Sequence, residues 1–152
     1  MLVVDYQSKS YHRFLEDMTQ IAKHKTRFLV TFNGPNPNEL TMAEEDFLSA
    51  TKNKIQHSTV VSDKGSETLV SELFSAARIN RDMLLFENTD LLFDKKTEVK
   101  KSHERDSGFD INHLFKSIAK HNGVVILATQ NKQTLSSTMS TKVDVLVRFP
   151  SA

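Results

Sequence analysis

The chain has no cysteine, which excludes disulfides and thiolate zinc sites. It has almost no net charge: 20 Lys and Arg against 19 Asp and Glu leave +1. That balance gives no field to steer nucleic acid or an anionic membrane surface. No apolar run approaches the roughly 18 residues that span a bilayer. The opening Met1-Leu-Val-Val-Asp-Tyr6 has neither the basic n-region nor the long apolar h-region of a secretory signal. These absences make a cytoplasmic location, with no membrane contact, the expectation. The Gly-x-Ser-x-Gly elbow of serine hydrolases does not occur. The six histidines (12, 24, 57, 103, 113 and 121) include no His-x-x-x-His pair, so their spacing predicts no metal site.

What is present is the pattern of one globular domain: 152 residues, 38% hydrophobic and 26% charged. Such a length buries roughly two thirds of the unfolded surface. Phe14, Leu15, Met18, Ile21 and Ala22 recur at helical spacing and predict a helix over 11–24, capped by Ser10. Arg27–Phe32 reads as a strand, and Asn33–Asn38, with two prolines and a glycine, as a loop. Thr41-Met-Ala-Glu44 has the form of a capping box and predicts a helix start there. A weak strand over Ser58–Val61, a helix over Ser66–Ile79 and an apolar strand over Met83–Phe86 follow. Residues 95–108 are polar, Phe109–His121 is a helical pattern, and Val124–Ala128 and Val143–Phe149 are strands. Strands alternating with helices predict a parallel sheet between helical layers. The fold expected is a three-layer α/β/α sandwich on roughly five parallel strands.

The segment Asp82–Lys101, an apolar strand ending in an acidic turn and then a basic loop, resembles the Walker B region of AAA+ ATPases. The strand and turn Val125-Ile-Leu-Ala-Thr-Gln130 and the closing Val-Arg-Phe-Pro150 carry the same resemblance. It extends from about Lys25 to Pro150, so residues 1–24 are expected as an N-terminal segment with one helix and 25–152 as an AAA+-like core of the P-loop NTPase type. It also implies a helical lid after the core, for which Pro150-Ser-Ala152 leaves no room. On this resemblance the chain is expected to be one domain of a larger protein.

Measured against the family pattern, several positions are altered. The phosphate-loop form G-x-x-x-x-G-K-[ST] aligns with Gly34-Pro-Asn-Pro-Asn-Glu-Leu-Thr41. Gly34 and Thr41 are kept, but Glu39 stands for the second glycine and Leu40 for the lysine. Glu39 would repel a phosphate charge by about 4 kcal/mol at 4 Å with an effective dielectric of ~20. The Walker B acidic pair is replaced by Glu87-Asn88. Glu87 could still carry a metal, whereas the Asn88 amide has no useful basicity. Gln130 matches the polar sensor, and Lys142 falls at the arginine-finger position without the bidentate guanidinium. The pore-loop position, Ser62–Gly65, holds no aromatic residue.

The resemblance with these changes implies a domain with degenerate motifs that does not hydrolyse ATP. It is expected to take no cofactor, or ATP and magnesium only weakly. Its expected role is structural or regulatory, beside other AAA+ domains of the same protein or ring, including further copies of the chain. Two other readings stay open: an ATP sensor using Thr41, Glu87 and Gln130 without hydrolysis, and a weak ATPase completed by other domains. The loop Lys95–Arg105 reads as a protein contact or a solvated loop. Its interspersed acids and lack of aromatics weigh against nucleic acid.

Overall fold

The computed structural model describes residues 1–23, 27–59, 66–80, 82–93 and 111–150. The expected pore-loop position at 62–65 and the basic loop at 95–105 lie outside them. In chain order the elements are β1 (Leu2–Asp5), α1 (Lys9–Lys23), β2 (Phe28–Asn33), α2 (Pro37–Thr51), β3 (Ile55–Thr59), α3 (Ser66–Asn80) and β4 (Met83–Glu87). A 3-10 helix (Thr89–Phe93) follows, then α4 (Ile111–Lys120), β5 (Val124–Ala128), α5 (Ser137–Lys142) and β6 (Val145–Arg148).

The strands form one six-stranded sheet in the order β1-β6-β2-β5-β4-β3, and every pairing is parallel. The architecture is the expected α/β sandwich, with one strand more than the sequence suggested. That strand, β1, pairs along β6 from Leu2 with Val145 to Asp5 with Arg148. Residues 1–23 thus supply an edge strand together with α1, which lies on α2. Tyr11 of α1 donates its hydroxyl to Asp46 of α2 at 2.9 Å. The Thr19 hydroxyl donates to the Ala50 carbonyl at 2.7 Å.

Successive strand residues point to opposite faces of a sheet. Val30 and Phe32 of β2, Met83 and Leu85 of β4, and Val124, Ile126 and Ala128 of β5 therefore fall on one face. There they pack with Tyr11, Phe14 and Met18 of α1 and Ala43 and Phe47 of α2. Leu29, Leu84, Phe86, Val125 and Leu127 fall on the other face, against Val70, Phe74 and Ala77 of α3 and Leu114 and Ile118 of α4. Fully burying such a side chain contributes about 1.5–3 kcal/mol. The two faces are thus separate cores sharing one sheet.

Several local expectations change: the cap read at Ser10 lies inside α1, which begins at Lys9. The helix start read at Thr41–Glu44 is at Pro37 instead, capped by Asn36. The strand read at Ser58–Val61 begins earlier, at Ile55. The helix α5 was not foreseen; its sequence Ser-Thr-Met-Ser-Thr-Lys buries a single residue, Met139.

Two buried polar groups give tests of the packing. The Thr31 hydroxyl, fully buried in β2, has no hydrogen-bond partner among the described residues. A buried unpaired hydroxyl is destabilising by about 1–3 kcal/mol, so Thr31→Val should raise stability by about 1 kcal/mol in urea unfolding. His121 is 2% exposed, set edge-on to Phe74, and neither ring nitrogen has a partner among the described residues. Burial, then the charge of Arg78, holds its pKa below the ordinary 6.5. The unfolded chain therefore binds the proton more readily. Stability is full above about pH 6.5 and falls as pH drops through the lower folded value. Urea midpoints measured from pH 8 to 5 should show that decline, and His121→Leu should flatten it.

Candidate functional site

Open parallel sheets bind ligands outside the carboxyl ends of their strands, where the strand order reverses. Here that place is the end of β2, which lies between β6 and β5 and leads into Gly34. At Gly34 the backbone requires glycine. Its φ is +71°, and a Cβ would come within 2.9 Å of Lys132 Cγ and 3.0 Å of the Lys132 amide nitrogen. The Gly34 N–H donates to Thr129 Oγ1 at 2.9 Å.

That contact belongs to a polar lock across the strand ends. Asn33, the last residue of β2, donates from Nδ2 to the Gln133 carbonyl at 3.0 Å and accepts from the Gln133 N–H at 2.8 Å. Asp90, in the turn after β4, accepts from the backbone N–H groups of Gln130 at 2.8 Å and Asn131 at 3.0 Å. It also accepts from Gln133 Nε2 at 2.9 Å. Thr89 donates to the Ala128 carbonyl at 3.0 Å. Strands β2, β4 and β5 are thereby tied together at the end where a ligand would approach.

The helix that follows is closed at its N-terminus. Asn36 Oδ1 accepts from the Glu39 N–H at 2.8 Å, while Glu39 Oε1 accepts from the Asn36 N–H at 2.9 Å. Pro37 occupies the first turn, where its missing N–H leaves no bond unmade. The Leu40 N–H donates to the Asn36 carbonyl at 2.9 Å, and the Leu40 side chain packs against the α1–α2 core. Thr41 is exposed and its hydroxyl donates back to the Pro37 carbonyl at 3.0 Å. The phosphate-loop positions Glu39, Leu40 and Thr41 therefore lie inside a capped helix.

The remaining positions are dispersed. Asn88 is exposed and left-handed, with φ 57°, and turns the chain from β4 into the 3-10 helix. The Gln130 side chain is exposed while its N–H is held by Asp90. The Lys142 ammonium sits 4.3 Å from the centre of the Phe115 ring, a cation–π contact within the helical layer.

Glu87 behaves differently. By the alternation of β4 it points to the face of Met83 and Leu85, toward α2. There it meets Glu44 of α2 and His57 of β3. One ligating atom of each lies within 4.8 Å of the others. Glu44 Oε2 is 3.1 Å from His57 Nε2. Burial, and then the nearby Glu87, push the Glu44 carboxyl above its ordinary pKa, while the His57 charge and its hydrogen bond draw it down. Sequence spacing gave no hint of this group, because its members come from three elements.

No protein-family model matches the chain, and no curated protein matches it in sequence. Solved structures do match in fold. One is the FIGL-1 AAA domain, with a TM-score of 0.66 and 16% identity over 93% of this chain and 52% of that one. Another is a chain of the E. coli MS115-1 HORMA:CdnC:Trip13 complex, with a TM-score of 0.58 and 17% identity over 95% of this chain and 54% of that one. At such identity the likeness is one of fold: the chain has the α/β fold of an AAA domain. It spans about half the length of each of these two structures.

The lock and the cap differ in how much each sustains. Asn36→Ala removes one cap and should cost about 1 kcal/mol. Asp90→Ala strips three N–H groups of their acceptor and should cost more, about 2 kcal/mol. Urea unfolding of both variants would check the order, and equal costs would contradict it.

Proposed function

We propose that this AAA+-like domain is a structural or regulatory module that takes no nucleotide of its own. In this reading it works beside other AAA+ domains in a ring. The observation that carries the reading is the reciprocal Asn36–Glu39 cap. A phosphate loop offers open amides at a helix N-terminus, where the dipole favours an anion. In this chain a side-chain oxygen and a carboxylate already occupy that place. A phosphate would have to displace Glu39 and meet its charge.

The degenerate character of the remaining positions supports the same reading. Asn88 cannot serve as a base. Lys142 spends its charge on Phe115. Association with other AAA+ domains is drawn from the fold, and association with further proteins from the likeness to a chain of the HORMA:CdnC:Trip13 complex.

Isothermal titration of ATP with magnesium into the chain tests the reading. No saturable heat is expected up to millimolar ATP, and micromolar binding would overturn it. Leu40→Lys should stay equally silent. A lysine there starts inside the helix, from a residue whose N–H is already bonded to Asn36, and restores none of the open amides.

A further inference from the structure

We propose that Glu44, His57 and Glu87 form a binding site for a divalent transition-metal cation of the zinc class. This goes beyond the structural reading of the domain and does not depend on it. Three different elements, α2, β3 and β4, deliver one ligating atom each to a common point. Strand pairing puts them there: Thr59 is opposite Glu87 and His57 opposite Leu85. His57 and Glu87 therefore share the face that α2 covers.

The geometry suits a small cation. A tetrahedral site with bonds of about 2.1 Å places its ligand atoms roughly 3.4 Å apart. Glu44 and His57 already stand at 3.1 Å, and the widest separation in the group, at most 4.8 Å, closes by side-chain rotation. Charge points the same way. Two carboxylates face one imidazole, which at most supplies a single positive charge. A divalent cation completes the balance.

Ligand chemistry selects the class. Imidazole with carboxylates suits zinc and its first-row neighbours. Magnesium and calcium favour sites built from oxygen alone. Three protein ligands would leave one coordination position for water.

The test uses the chain freed of metal by dialysis against a chelator, with zinc chloride as the probe. Zinc should bind at one equivalent and move the ring resonances of His57, but of no other histidine, in nitrogen-detected NMR. Glu44→Gln, His57→Gln and Glu87→Gln should each weaken zinc binding at least tenfold. His113→Ala should leave it unchanged. Millimolar magnesium should not displace the zinc.

Absence of saturable zinc binding, or shifts spread over several histidines, would overturn the proposal. In that case the group is the Glu44–His57 contact with Glu87 beside it. Displacement by magnesium would overturn the zinc-class assignment. The NMR reading on the unsubstituted chain keeps the test decisive even where a variant folds poorly.

Discussion

The alternation of side chains along a parallel sheet covered on both faces is the constraint on which the rest of this structure depends. In β2, β4 and β5 nearly every residue is buried, so each strand must satisfy two cores at once. A slip of one residue would carry Val30 and Phe32 to the α3–α4 side and Leu29 to the α1–α2 side. The misfit would involve several large side chains, each contributing about 1.5–3 kcal/mol. Register is therefore fixed by packing, and the register decides where the strand-end polar groups point. Asn33 meets the loop after β5, and Glu87 meets α2.

The start of α2 sets what the end of β2 can do. A helix N-terminus leaves several N–H groups without partners, and a protein can satisfy them from within or leave them for a ligand. Here the Asn36–Glu39 pair satisfies the N–H groups of Asn36 and Glu39 from within. The Asp90 lock holds the facing loop by its own N–H groups. Both devices spend backbone donors on the protein's carboxylates. On the proposed reading, a free anion would have to compete with the Glu39 and Asp90 carboxylates already bonded there.

Much of this was legible in the sequence, and the parts that were not have physical reasons. Met83–Phe86 and Val124–Ala128 read as strands because both faces are buried, which produces an unbroken apolar run. The helices α1 and α3 read from their periodicity. β1 escaped because only Val4 is buried in it, so no pattern forms. α5 escaped for the same reason, with Met139 as its one buried residue. The cap was misplaced because Thr41–Glu44 and Asn36–Glu39 both carry the capping pattern. Pro37, pre-set for a first helical turn, favours the earlier one. The convergence of Glu44, His57 and Glu87 could not be read at all, since it depends on strand order and on the face toward which each strand points.

The position of Glu87 joins these threads. In the family that the sequence resembles, the acidic end of this strand holds magnesium beside a bound phosphate. Here the strand keeps its acid, and α2 opposite it places Glu44 where it can face Glu87. The edge strand β3, which pairs with β4 alone, contributes His57. A second tie between these strands is Gln56, which donates to Asp82 at 2.7 Å. The N–H groups of Asn36, Glu39 and Leu40 are bonded within the chain, while the acid has an imidazole and a second carboxylate beside it. α2 takes part in both features: its start carries the Asn36–Glu39 cap, and further along it Glu44 meets His57 and Glu87.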